Sequence, residues 1–375
     1  MNIAIHVRLN AFLFVVFAIC LSCSGKDGKT ERYNTQDARA VTIGVAYPVL
    51  AWDKESYYID GLELAVKKIN ESGGVLGKPL ELLIRDDQGN SRVAQQIAET
   101  FHDAGITAVV GHFSSDVCYF VEDIYEEREI VMITPSASSM MLFSNDYEYI
   151  YRMVVNNLMH AQVLAEFAKR NGIRRPALFF LEGALGTNLT QLIEEELTGR
   201  QITVIDRSTS ITPANVGELM YRWRAFGCDA LFMASPLNVS SEPIKLLRDA
   251  GADIPIFCIE DFRNKTFMNE IAGYTDNLYS IVFSTEDMDS VFLEAFRAAY
   301  KRNPNLYEVA GYEAVHLLAD AMNAEGSIES GAIVHFLNGL QNHHSAMGSI
   351  SYNPESKEFD GSRLRVESFR VQVAR

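Results

Sequence analysis

Positive charge, cysteine and tryptophan are scarce in this chain of 375 residues. Lys and Arg number 33 against 49 Asp and Glu, a formal net charge of -16. A field of that sign repels phosphate backbones and anionic lipid, so the chain is not expected to bind nucleic acid or anionic membrane through its general field. Of five cysteines, Cys20 and Cys23 lie in the N-terminal stretch, leaving Cys118, Cys228 and Cys258. Three well-separated thiols make neither a disulfide framework nor a zinc site, although one pair among them stays open in an oxidising compartment. Nucleotide-binding glycine loops, H-E-x-x-H and G-x-S-x-G are all missing. Those absences argue against an enzyme and predict neither cofactor nor metal. The adjacent pair His343-His344 has no companion cluster and reads as loop.

Long apolar runs are also rare. The only one is Ala11–Leu21, after Arg8, and it is short for a bilayer span. It ends at Leu21-Ser22-Cys23. A small residue before cysteine resembles a bacterial lipobox, with Cys23 as the lipidated residue. Residues 1–23 are therefore expected to be a lipoprotein signal, and 24–40 a polar tether. No later run is long enough for a transmembrane helix.

What the chain does have is 48% hydrophobic residues, enough for two cored lobes. Strands alternate with helices: Val41–Val45, a helix on Leu62, Ala65, Val66 and Ile69, Leu80–Ile84, a helix on Val93, Ile97 and Phe101, then Ala108–Gly111. The pattern restarts near Asn171. Strands are expected at 176–181, 201–205, 229–234 and 254–259, with helices over 189–197, 219–223 and 243–250. Alternation of this kind predicts an α/β fold with doubly wound, mostly parallel sheets. Helices follow near 291–300, 312–322 and 328–339, and 348–373 alternates like strand.

The functional signal lies between Thr107 and Ser138. The strand at Ala108 runs into His112-Phe113-Ser114-Ser115. The strand Ile130–Ile133 runs into Thr134-Pro135-Ser136-Ala137-Ser138. Two parallel strands would place both hydroxyl clusters at the carboxyl edge of one sheet, where open α/β sheets bind ligands. Ser114 and Ser115 suit an N-cap, and a helix start offers free N–H groups to an anion. Glu260 ends an apolar strand further on and suits a ligand ammonium. Trp52 and Tyr58 are candidate walls for the pocket.

The segment GHFSSDVCYFVEDIYEEREIVMITPSAS resembles the leucine/isoleucine/valine-binding proteins, type I periplasmic receptors of branched-chain amino-acid ABC transporters. The resemblance extends more weakly from about Val41 to about Gly361. It implies a two-lobed type I periplasmic-binding-protein fold, with residues 41–155 and 284–346 in lobe 1 and 156–283 and 347–375 in lobe 2. The chain would cross between lobes near Val155, Phe283 and Met347. It implies a ligand carboxylate held by Ser115, Ser136, Ala137 and Ser138 beside Ser114, and an ammonium held by Glu260. It implies a monomeric, periplasm-facing lipoprotein that delivers an amino acid to an ABC permease. Family contacts to the amino group fall near Asn157, Leu185 and Pro236, where this chain has other residue types. A sensing receptor of the same fold, and an amide, urea or aromatic acid as ligand, are the alternatives.

Overall fold

The apolar runs form strands, and the segments between them wind into helices with apolar residues three and four apart. The computed structural model describes residues 40–49, 58–142, 145–181, 184–261, 265–360 and 364–369. The expected signal, Cys23, Trp52 and nearly all of the tether lie outside them. Among the described residues no helix is long and apolar enough to cross a membrane.

The first lobe begins β1 (Val41–Tyr47), α1 (Ile59–Glu71), β2 (Leu80–Asp86), α2 (Ser91–Asp103), β3 (Ala108–Gly111), α3 (Ser115–Glu127), β4 (Val131–Thr134) and β5 (Ile150–Arg152). The second continues α4 (Asn157–Arg170), β6 (Pro176–Phe180), α5 (Ala184–Gly199), β7 (Asp206–Ser208), α6 (Val216–Phe226), β8 (Ala230–Ala234), α7 (Leu237–Asp249), β9 (Ile256–Cys258), α8 (Lys265–Glu270) and β10 (Leu278–Phe283). Then come α9 (Ser290–Tyr300), α10 (Leu306–Glu325), α11 (Ser330–Asn338), β11 (His343–Ser345), β12 (Gly348–Asn353), β13 (Glu358–Asp360) and β14 (Leu364–Ser368).

One sheet has the order β11-β12-β13-β5-β4-β3-β1-β2, the other β14-β10-β9-β8-β6-β7. Strands β1 to β5 pair in parallel, as do β6 to β10. Each sheet is covered on both faces. In the first, one core includes Leu62, Phe296, Val315 and Leu337, and the opposite one Ile97, Phe101, Val121 and Tyr125. In the second, Trp223, Leu247 and Phe267 pack on one face, Leu164, Ile193 and Phe232 on the other. This is the doubly wound two-lobe fold expected. All described residues fall in one compact unit.

Close backbone packing fixes α10 on the first sheet. A Cβ at Gly61 would lie 2.0 Å from the Glu308 carbonyl oxygen, so α1 and α10 meet only through a glycine. Asn305 and Glu308 close a capping box that starts α10 at that contact.

Several expectations shift. The strand expected at 201–205 is β7, at Asp206–Ser208; Thr203 and Ile205 only donate singly to the β6 edge. Helix α7 starts at Leu237 and contains Pro243. His343 and His344 lie in β11, not a loop. The tail alternates because it forms three strands, but β12 and β13 join the first sheet and only β14 the second. The third change of sheet therefore lies between Asp360 and Leu364, not near Met347. Alternation reports which face a side chain takes and is silent on which strand it pairs with.

Candidate functional site

β3 and β4 end side by side, and their exits are tied together by buried polar groups. His112 is fully buried, with Nδ1 2.7 Å from Asp87 Oδ2 and Nε2 3.0 Å from the Tyr125 hydroxyl. Its carbonyl accepts from Thr134 Oγ1 at 3.0 Å and from Cys118 Sγ at 3.3 Å. Burial pushes the Cys118 thiol up to about 12, which leaves it unreactive. A Cβ on Gly111 would sit 2.4 Å from the Ala46 carbonyl oxygen, and its φ of 148° is a glycine conformation. The loop after β3 is therefore held from β1, β2, β4 and α3.

Ser114 caps α3, accepting from the Val117 N–H at 3.4 Å. Ser115 is the first helical residue, buried, and its hydroxyl accepts from the Ser139 N–H at 3.2 Å. A hydroxyl that already accepts still has its proton to donate. Ser136 differs: its hydroxyl donates to the Phe113 carbonyl at 2.7 Å, so its proton is used. The Ala137 N–H is taken by Thr134 Oγ1 at 3.1 Å. Ser138 is half-buried and gives its carbonyl to the Asn157 N–H at 2.8 Å. Its N–H and hydroxyl meet no partner among the described residues. The donors left for an anion are therefore the Ser115 and Ser138 hydroxyls and the Ser138 N–H. Arg152 sits behind the loop, 2% exposed, donating to the Ser139 carbonyl at 2.9 Å. Its charge is met by Glu358, whose Oε1 lies 3.4 Å from Arg152 Nε, so it braces the loop rather than standing free for a ligand.

Glu260 follows β9 in the second lobe. Its Oε2 accepts from Leu237 N, the first helical N–H of α7, at 3.0 Å. Burial raises this acid to about 7, against the pull of that N–H and of the Tyr307 hydroxyl. Tyr307 belongs to α10, in the other lobe. Its ring meets Phe113 edge-on at 5.4 Å, and Phe113 stacks on Tyr58 at 6.1 Å. Tyr58 lies against Tyr47 at 5.2 Å. So the residue just before Ser114 touches the ring whose hydroxyl reaches Glu260. Two further bonds join the lobes here: the Asn157 N–H to the Ser138 carbonyl, and the Met140 N–H to Asn188 Oδ1 at 3.2 Å.

Ser114, Ser115, Ser136, Ala137 and Ser138 thus come together, and Glu260 is linked to them through Phe113 and Tyr307. Pro236 caps α7 beside Glu260 and brings no N–H. The side chain of Leu185 lies outside the described residues. Sequence reasoning did not find Phe113, Thr134, Arg152, Asn188 or Tyr307. Thr134 had a signal, a hydroxyl at the very strand end; Tyr307 and Asn188 had none, since they arrive from other βα units. His343 and His344 diverge, one 3.5 Å from Asp320, the other 3.4 Å from Asp289. Among the described residues no group of His, Cys, Asp and Glu could hold a metal. A cavity of about 410 Å³ beside Trp223 and Pro255 opens before β9, at the other edge of the second sheet, and includes none of these residues.

The chain matches the periplasmic binding protein family over residues 40–362. It is 23% identical over 325 residues to "Leu/Ile/Val-binding protein homolog 3" of Brucella melitensis biotype 1, covering 84% of this chain and 87% of that one. A solved ABC transporter substrate-binding protein from Desulfitobacterium hafniense, in complex with Leu, superposes with a TM-score of 0.78 at 28% identity, over 88% of this chain and 97% of that chain. A solute-binding protein of an ABC transporter from Rhodopseudomonas palustris BisB5, in complex with 3,4-dihydroxy benzoic acid, shares the fold, with a TM-score of 0.76 at 16% identity, over 88% and 93%.

Proposed function

We propose, from the premise that this chain belongs to the periplasmic binding protein family, that it is an extracytoplasmic receptor that takes up an amino acid between its lobes. It passes the ligand to an ABC permease and performs no chemistry on it. The observation that carries this reading is the joined pair of ends. Free hydroxyl and N–H donors at Ser115 and Ser138 suit a carboxylate, and a buried acid at Glu260 suits an ammonium. The Phe113–Tyr307 contact, with the Tyr307 hydroxyl on Glu260, links the two ends and supports reading them as parts of one site. Both sites bind through charge and hydrogen bonds, with no nucleophile or metal involved.

A screen of amino acids, amides and aromatic acids by thermal shift tests this, since a ligand of the native state raises the melting temperature. Saturating amino acid should raise it and should shrink the radius of gyration in small-angle scattering, because the lobes close on the ligand. Response to a simple aromatic acid or urea, with none to any amino acid, would refute the proposed ligand class.

The receptor is anchored through a lipid on Cys23 and works as a monomer at the membrane face. Cys23→Ala should move it from the membrane fraction to the soluble one. Wild-type protein found wholly soluble, with an unmodified N-terminus by mass spectrometry, would remove the anchor from the account.

A further inference from the structure

Asn157 is where the second lobe meets the anion loop. It is the first residue of α4, after the N-cap Asn156, and its backbone N–H holds the Ser138 carbonyl. Its side chain is 1% exposed. Asn157 Nδ2 donates to Asn188 Oδ1 at 3.1 Å. The assignment of nitrogen and oxygen here is fixed by a third group. The Met140 N–H can only donate, and it also points at Asn188 Oδ1. That atom must therefore be the oxygen, so Asn157 has to turn its NH₂ toward it. The Asn157 carbonyl oxygen is left facing elsewhere, buried, and without a partner among the described residues. A buried acceptor left empty is costly, and native proteins keep few of them.

We infer that the Asn157 carbonyl is a specificity determinant: it accepts a hydrogen bond from the side chain of the bound amino acid, so the receptor prefers side chains with a hydroxyl or amide donor over purely aliphatic ones. The inference rests on the amino-acid reading of the site. In that reading Glu260 takes the ammonium and Ser115 with Ser138 takes the carboxylate, which leaves this acceptor for the side chain. Leucine or valine offers it nothing and would bury it unpaired. A site built to hydrogen-bond a donor rejects the isostere that lacks one far more strongly than an apolar pocket rejects a polar guest.

Two isosteric pairs test it by calorimetry: asparagine against leucine, and threonine against valine. In the wild type the polar member of at least one pair should bind about tenfold tighter or more than its apolar partner. Asn157→Leu, nearly the same shape without the carbonyl, should erase or invert that preference. The wild-type comparison needs no variant, so a misfolded mutant cannot hide the answer. Apolar members binding as tightly as polar ones in the wild type would overturn the inference while leaving the receptor function standing. So would a preference that survives Asn157→Leu, or a mutant that weakens every amino acid equally, which would give the carbonyl to the ammonium. No binding of any amino acid would instead overturn the proposed function beneath it.

Discussion

Glu260→Gln is expected to weaken amino-acid binding by about thirtyfold to several thousandfold, the range for truncating one partner of a buried hydrogen-bonded charge pair (roughly 2–5 kcal/mol). Gln keeps the shape and can still accept from the Leu237 N–H, so the fold should persist. What is lost is the negative charge that the ligand ammonium needs. The same variant should bind a carboxylate without an amine as well as the wild type does, which separates charge pairing from general damage. The effect depends on pH in a definite sense. Burial holds Glu260 near 7 in the empty receptor, so below that pH the acid is mostly neutral. The ammonium binds the ionised form. Affinity should therefore rise as pH increases from about 5 to about 8, and then level off, with about tenfold loss per unit on the acid side. In Glu260→Gln this slope should vanish. A wild-type affinity that is flat from pH 5 to 8 would remove Glu260 from the site.

Ser115→Ala should weaken binding by about ten- to a hundredfold, because a hydrogen bond to a charged group contributes roughly 1.5–3 kcal/mol. The loss has two parts. The ligand carboxylate loses a donor, and the Ser139 N–H loses its acceptor, which loosens the loop that carries Ser138. Ser136→Ala should cost less, since that hydroxyl already donates to the Phe113 carbonyl and has no proton left for the ligand. Calorimetry on the two single variants gives the order directly. If Ser136→Ala proves the more damaging while the melting temperature is unchanged, the assignment of donors is wrong.

The lobes and their strands were legible because a parallel strand buried on both faces is a continuous apolar run, as at Ala108–Gly111 and Ala230–Ala234. The position of the serine loops was legible for the same reason: small hydroxyl residues directly after such runs must lie at the sheet's carboxyl edge. What each hydroxyl does there was not. Ser114 rather than Ser115 caps α3, and Ser136 rather than Ser138 gives its proton away, choices made by the loop's path in space. Tyr307 and Asn188 enter from distant helices, and no local pattern marks a residue that becomes a neighbour only on folding. The placement of β12 and β13 in the first sheet was hidden likewise, since their alternation fits either sheet.

The most direct test of the account is the number of protons released when an amino acid binds. It is measured by calorimetry in buffers of different ionisation enthalpy. In the empty receptor Glu260 titrates at about 7, and the bound ammonium must drive it fully to the carboxylate. Binding should release about half a proton at pH 7, about nine-tenths at pH 6 and about one-tenth at pH 8. Glu260→Gln should reduce the release at pH 6 to nearly none. Tight binding to the wild type with no proton release at pH 6 would mean that no ammonium meets Glu260, and would contradict the claim that the seam between the lobes is an amino-acid site.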